Sequence, residues 1–199
     1  RTHSGEPGIF SRANANRTKP TRRKKAVFQT NPCGEINLRP YEFCNLTQAV
    51  CRPGDSAQDL ERKVRLATLV GVVQSLSTRF PGLREEWKKN CEEERLLGVD
   101  LTAQADCEIL RTTDMAGRVL RAKLRRVAEE EATKWAGKLE INVPAAITCN
   151  KPAGNSAELL DASNGIHARY ARFYKRRMLV GATSPLFKVL RASGVPMEP

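Results

Sequence analysis

The stretch from residue 141 to residue 160 constrains the fold more than any other part of this sequence. Ile141–Cys149 is apolar enough to predict a buried strand, 150–156 is a glycine-containing loop, and Ala157–Leu160 begins a helix. A strand, a loop and a helix N-terminus in this order can hold a phosphate group through backbone N–H groups. Many α/β connections share this arrangement, so it predicts an α/β fold without by itself identifying a phosphate site.

Other segments continue the alternation of helix and strand. An apolar stripe over residues 114–139, with charged residues elsewhere, predicts an amphipathic helix capped by Asp114. Phe173–Val180 is predicted to be a strand and Pro185–Ser193 a helix. These patterns also favour the α/β class.

The middle of the chain predicts two helices. A turn at Arg52–Asp55 precedes a helix that is apolar nearly all round from Leu66 to Val73, which predicts deep burial. Phe80–Gly82 is expected to end it. A second, shorter helix is predicted around Leu83–Leu97, with Gly98 at its C-terminal end.

The positive charge is large and uneven. The chain has 34 Lys and Arg residues against 22 Asp and Glu residues, a formal net charge of +12. This balance favours an anionic partner such as nucleic acid, a membrane surface or a phosphorylated small molecule. Residues 1–30 carry many of these cations and few apolar side chains, so they are predicted to be a basic, solvated connecting loop.

The six cysteines contain no Cys-x-x-Cys pair, and His3 and His167 lie far from them in sequence, so no metal site is predicted. Low cysteine density, no secretion signal and no apolar run of about 18 residues predict a reduced, cytoplasmic protein without a membrane partner. Four cysteines are interpreted as packing residues: Cys51, Cys91, Cys107 and Cys149.

Five short motifs occur in a fixed order along the chain. They are GEPGI at 5–9, NPCGEI at 31–36, FCNLT at 43–47, TCNKPAG at 148–154 and GIHARY at 165–170. Together they resemble the catalytic chain of ribonucleotide reductases, specifically the adenosylcobalamin-dependent class. The resemblance covers essentially the whole chain.

The resemblance implies a radical active site on the second motif. By it, Cys33 carries the thiyl radical that removes the 3′ hydrogen of a ribonucleotide. Glu35 would act as general base on the 3′-OH while the 2′-OH leaves as water. Asn31 would hydrogen-bond the sugar hydroxyls. All three side chains are expected on one side of an extended loop.

The later motifs imply the electron source and the phosphate site. Cys44 resembles one half of the reducing dithiol, whose partner cysteine would lie outside this chain. The 11-residue offset from Cys33 to Cys44 resembles the spacing of the cobalamin-dependent class. The substrate phosphates would bind the loop Pro152, Ala153, Gly154, Asn155 and Ser156. Ala153 and Asn155 replace the family's usual Ser or Thr, which removes two hydroxyl contacts.

The resemblance also implies an organisation. Residues 31–199 would be the C-terminal part of a ten-stranded α/β barrel with a central finger loop, and 1–30 its basic connection. The chain begins with Arg1 and is shorter than the family's catalytic chain, so we expect a fragment that is inactive alone. The whole enzyme would make deoxyribonucleotides for DNA synthesis.

The implied ligands follow from the same family. They are a ribonucleoside di- or triphosphate, adenosylcobalamin held mostly outside this chain, a thioredoxin-type reductant, and a dNTP effector at a site elsewhere. The alternative from another class is a basic nucleic-acid-binding module without catalytic activity.

Overall fold

Parallel strand pairing organises the centre of the chain. In this computed structural model, which describes residues 8–175 and 177–198, β3 (Asn45–Val50) pairs in parallel with β4 (Leu97–Thr102). Parallel strands need a long crossover, which α2 (Ala57–Gln74) and α3 (Glu85–Glu94) provide. The predicted α/β class is confirmed.

A second crossover follows β4. Helix α4 (Met115–Lys138) begins at Asp114, whose side chain accepts a hydrogen bond from the Gly117 N–H, as the sequence predicted. The chain then returns beside β4, where Thr148 forms a parallel bridge with Val99. The hydrophobic core contains residues of α2, α4, β3 and β4, and α2 contacts the other three elements.

The predicted strand over 141–149 is reduced to that single bridge. The backbone nitrogens of Leu97 and Val99 donate to the carbonyls of Ala146 and Ile147, so the segment does lie beside β4. Pro144 is buried and has no N–H to donate to a ladder. The prediction of a regular strand is therefore wrong, although the position of the segment is right.

Helix α2 is shorter and less buried than predicted. It begins with a capping box between Ser56 and Asp59 and ends at Gln74, before the predicted stop at Phe80–Gly82. Leu66, Val70 and Val73 are each more than half exposed. The expectation of burial all round is wrong because β3, β4 and α4 pack against one side of the helix.

The predicted helix over 83–97 ends early. Helix α3 stops at Glu94 because Arg95 adopts a left-handed conformation, with φ 46° and ψ 43°. Leu97 then starts β4, and Gly98 lies inside this strand rather than at a helix end. The apolar run at the start of β4 belongs to a strand buried on both faces. A short apolar run fits a helix or a buried strand, so the sequence pattern alone did not distinguish them.

The N-terminal segment is more structured than the predicted basic loop. Helix α1 (Arg12–Thr18) is capped by the Ser11 side chain, and Arg23 and Phe28 are buried. Strands β1 (Gln29–Thr30) and β2 (Asn37–Leu38) then form an antiparallel hairpin. The solvated-loop prediction for 1–30 is wrong over these residues, because Arg23 has carboxylate partners elsewhere in the fold.

The chain divides into two compact units between Arg169 and Tyr170. The smaller unit contains α6 (Pro185–Ala192), which confirms the predicted helix there. No strand forms among the described residues of 173–180, so that prediction is wrong; Arg176 lies outside the described residues. Among the helices of the described chain, none is long and apolar enough to cross a bilayer.

Candidate active site

The hairpin tip carries the second sequence motif. The Asn31 carbonyl accepts a hydrogen bond from the Gly34 N–H at 3.0 Å, and the Asn31 Oδ1 accepts one from the Ile36 N–H at 3.0 Å. Gly34 has a φ of 80°, a conformation that glycine adopts without strain. Asn31 therefore braces a tight turn, and Cys33 is exposed at its tip.

Glu35 points away from Cys33 and is buried. Its side chain is only 5% exposed, and neither carboxylate oxygen has a hydrogen-bond partner within the part of the chain that the structure describes. Lys151 lies within ion-pair distance, with its Nζ 3.9 Å from Oε1. Buried carboxylates normally accept hydrogen bonds, so Glu35 retains capacity to accept them from a bound group.

A cavity of about 220 Å³ lies beside Glu35. Its walls include Cys44, Thr148 and the cations Lys19 and Arg23. Cys33 is not among the described residues that line it. The expectation that Asn31, Cys33 and Glu35 share one side of an extended loop is wrong, because the turn sends Cys33 outward.

Cys44 lies just before β3 and is half-buried. Burial, and after it the nearby Cys149, raises the pKa of the Cys44 thiol. Burial likewise raises the pKa of Cys149 to about 12, with Asp100 and Glu35 adding to the effect. Both groups keep their protons at neutral pH, so Cys44 is a thiol and not a thiolate.

The candidate phosphate loop is tied to the sheet at both ends. Gln48 of β3 lies opposite Asp100 of β4. Asp100 Oδ1 accepts a hydrogen bond from the Lys151 N–H at 3.0 Å, and Gln48 Oε1 accepts one from Ser156 Oγ at 2.9 Å. Between them Gly154 has a φ of 54° and precedes α5 (Asn155–Leu159), close to the predicted helix start.

Asp100 is a site residue that the sequence reasoning missed. It is fully buried, and burial raises its pKa to about 6, although the hydrogen bond from the Lys151 N–H opposes the rise. The sequence did carry a signal for Asp100: it is a carboxylate inside the apolar run of β4, and burying an unpaired charge there costs free energy.

A buried ion-pair network supports the hairpin. Arg23 contacts Glu42 at 2.9 Å and Glu94 at 2.7 Å, and all three side chains are at most 6% exposed. Arg39 also contacts Glu42 and Glu94. The pKa of Glu42 is raised to about 7, chiefly by burial and also by neighbouring Glu94, against the opposing hydrogen bond from the Arg39 backbone. The sequence placed Arg23 in a solvated loop and did not indicate this network.

The cysteine predictions have different outcomes. Cys51 and Cys107 are buried in the hydrophobic core, which confirms their packing role. Cys149 lies beside Cys44 instead, on the site side of the sheet, so its interpretation as a packing residue was incomplete.

Sequence comparisons agree with the motifs. A family described as "Ribonucleotide reductase, barrel domain" matches residues 1–107. The adenosylcobalamin-dependent ribonucleoside-triphosphate reductase of Levilactobacillus brevis is 26% identical, covering 99% of this chain and 30% of that protein. A putative enzyme of the same name from Mycobacterium phage D29 is 32% identical, covering 88% of this chain and 26% of that protein. The chain thus spans less than a third of the length of these relatives.

A comparison with solved structures gives the same fold. A crystal structure of a B-12 dependent (class II) ribonucleotide reductase matches with a TM-score of 0.58 and 23% identity, over 71% of this chain and 23% of that chain. The described residues form part of such an α/β fold and contain no closed barrel. Because the family match covers more than half of the sequence, the chain belongs to the ribonucleotide reductase barrel-domain family.

Proposed function

We propose that this chain is the part of an adenosylcobalamin-dependent ribonucleotide reductase that holds the radical cysteine, the general base and the phosphate loop. The whole enzyme would convert ribonucleotides to 2′-deoxyribonucleotides for DNA synthesis. The buried carboxylate of Glu35, which has no hydrogen-bond partner among the described residues, carries this proposal, because it lines a cavity shared with Cys44. Membership of the ribonucleotide reductase family accounts for the five sequence motifs. The alternative function, a basic nucleic-acid-binding module, does not account for them.

The proposed chemistry begins at Cys33. A thiyl radical there would take the 3′ hydrogen of the sugar, since S–H and sugar C–H bonds are similar in strength. Glu35 would accept the 3′-OH proton, which helps the 2′-OH leave as water. The Asn31 Oδ1 already braces the turn, so its amide nitrogen is the group left to donate to a sugar hydroxyl.

Cys44 would supply reducing equivalents after water leaves. Its raised pKa supports this role, because a protonated thiol can donate a hydrogen atom. Its redox partner in the catalytic cycle would come from the barrel half that this chain does not contain. A thioredoxin-type protein would then reduce the resulting disulfide.

The phosphates would bind at Pro152, Ala153, Gly154, Asn155 and Ser156. The Ser156 hydroxyl is already engaged by Gln48, and the Ala153 N–H donates to Asn164 Oδ1 at 2.5 Å, so the loop is well supported. Lys151 directly precedes this loop, so its side chain would add positive charge beside the phosphates. Arg169 is engaged with Asp106 and Asp161 and is not part of this proposal.

The relatives' names favour a triphosphate substrate. Those that match nearly the whole chain are named ribonucleoside-triphosphate reductases. The vitamin B12-dependent ribonucleoside-diphosphate reductase of Mycobacterium tuberculosis matches over 42 residues only. We therefore place the triphosphate first and the diphosphate second. A dNTP effector would bind outside this chain.

Adenosylcobalamin, when bound, would supply the radical that starts the reaction. The residue of this chain that fits such a group is Cys33, since its exposed position leaves the thiol accessible to a cofactor held by the rest of the protein. Within the architecture, residues 31–199 would be the second half of the barrel with the hairpin as its finger loop, and 1–30 the connection before it. The two successive parallel crossovers support this placement.

The test compares cysteine variants of the complete enzyme supplied with adenosylcobalamin. Cys33→Ser should abolish both deoxynucleotide formation and exchange of the substrate 3′ hydrogen, because an oxygen-centred radical is far harder to generate. Cys44→Ser should retain the exchange but stall afterwards. Cys91→Ser, on α3 outside the cavity, is the matched control and should turn over normally. Normal turnover by Cys33→Ser would overturn the proposal.

A further inference from the structure

We propose that Lys151 is a positioning residue for Glu35: its ammonium group holds the buried carboxylate in place and leaves both carboxylate oxygens open to accept the 3′-OH proton. The inference deepens the proposed function, because it rests on Glu35 acting as the general base. It goes beyond the charge that Lys151 would add beside the phosphates, and it gives the side chain and the backbone of Lys151 separate tasks.

The contact between the two side chains is an ion pair without a hydrogen bond. Lys151 Nζ lies 3.9 Å from Glu35 Oε1, and among the described residues this is the one ion pair that Glu35 makes. Neither oxygen of Glu35 has a hydrogen-bond partner in the described chain. The carboxylate therefore gains a countercharge, which offsets part of the cost of burying it, and retains its lone pairs for a proton.

Other cations near Glu35 are not placed to hold it. Arg23 lines the same cavity, but its guanidinium is engaged by two buried glutamates. Lys19 also lines the cavity and forms no ion pair with Glu35. Lys151 is not among the described residues that line the cavity. Its ammonium thus reaches Glu35 from outside the cavity and acts through that carboxylate.

The backbone of Lys151 is fixed independently of its side chain. Its N–H donates to the buried Asp100 Oδ1 at 3.0 Å. Gly165 of the fifth motif packs against its carbonyl, since a Cβ placed on Gly165 would lie 2.7 Å from the Lys151 oxygen. The Gly165 N–H in turn donates to Thr102 Oγ1 at 2.9 Å. Substituting the Lys151 side chain removes neither backbone contact, so its effect on Glu35 can be tested with the loop still anchored.

The two roles of Lys151 predict different kinetics. If its ammonium only adds charge beside the phosphates, its loss raises KM and leaves kcat unchanged. If it positions Glu35, its loss lowers kcat, because a misplacement of about 1 Å at a reacting group costs about 10²-fold. The second effect passes through the carboxylate, so it disappears once Glu35 is replaced by glutamine.

The experiment measures kcat and KM for reduction of a ribonucleoside triphosphate by the complete enzyme supplied with adenosylcobalamin. Lys151→Met should lower kcat by about 10²-fold, and Lys151→Arg, which retains a cation, should lower it less. In the Glu35→Gln background, Lys151→Met should lower kcat no further. Lys63→Met is the matched control and should leave kcat unchanged, because Lys63 is also 27% exposed and pairs with a largely buried carboxylate, that of Asp55.

An unchanged kcat in Lys151→Met, with only KM raised, would overturn the proposal. So would an equal loss of kcat from this substitution in the Glu35→Gln background and in the unsubstituted enzyme. Either result leaves the base role standing if Glu35→Gln alone loses turnover, whereas normal turnover by Glu35→Gln overturns both roles together. If urea unfolding shows that Lys151→Met folds poorly, Lys151→Gln gives the same comparison with a neutral, polar side chain.

Discussion

Replacing Arg23 by Met should destabilise the fold strongly. Arg23 is 3% exposed on its side chain, contacts the carboxylates of Glu42 and Glu94, and donates to the Asn37 carbonyl at 2.6 Å. Methionine keeps much of the volume but removes the charge. Two buried carboxylates then share Arg39 as their remaining cation.

The expected loss in the free energy of unfolding is about 3–5 kcal/mol, the cost of removing one partner from a buried ion pair. Lys24→Met is the matched control, because Lys24 is the neighbouring cation and its ion pair with Glu93 is exposed. An exposed pair contributes about 0–1 kcal/mol. The two variants each remove one positive charge, one residue apart, from a buried site in Arg23 and an exposed site in Lys24.

Urea unfolding at pH 8, followed by the fluorescence of Trp87 and Trp135, measures both variants. The deficit of Arg23→Met should shrink at pH 5, because the pKa of Glu42, raised to about 7 chiefly by burial, leaves that buried carboxyl neutral there. Equal, small losses in Arg23→Met and Lys24→Met would refute the reasoning. So would a deficit that does not change between pH 5 and pH 8.

Three further predictions follow from the buried carboxylates. The pKa of Glu42 is about 7 in the folded state against 4.5 for the free group, so the folded state holds a proton that the unfolded state releases. The contribution of Glu42 to the free energy of unfolding therefore falls as pH rises from about 4.5 to 7. Glu42→Gln should flatten this pH dependence in urea unfolding. Glu35→Gln in the complete enzyme should retain nucleotide binding but reduce kcat by about 10²–10⁴-fold, and an unchanged kcat would exclude it as the base. Asp100→Ala removes the acceptor of the Lys151 N–H and should lower the free energy of unfolding by about 1–3 kcal/mol. Asp100→Asn retains an acceptor oxygen and should lower it less. Equal losses in the two variants would contradict the role of Asp100 as the anchor of the loop.

Sequence alone predicted the elements whose signals are local. Asp114 caps α4 through a hydrogen bond three residues away, and Pro185 starts α6, so both helices were found. The proline and glycine of the second motif are compatible with the turn over Asn31–Gly34, although an extended loop was expected there. The motif order also identified the family, because a few short segments retain the residue types that the chemistry needs.

The misassigned elements depended on distant partners. The run from Leu96 to Val99 fits a helix or a buried strand equally well, and pairing with β3, about 50 residues earlier, decides for the strand. Arg23 looks solvated in its basic segment, since its partners Glu42 and Glu94 are 19 and 71 residues away.

The same division holds at the candidate site. The sequence determined which chemical groups are present: the thiols Cys33 and Cys44, the carboxylate of Glu35 and the glycine-containing loop after Cys149. Only the tertiary structure decided that Glu35 turns inward while Cys33 stays exposed, and that Asp100 and Gln48 anchor the loop. It also brought Cys149 beside Cys44. Residue type and local hydrogen bonds can be read along the chain, whereas burial and charge pairing depend on side chains that only folding brings together.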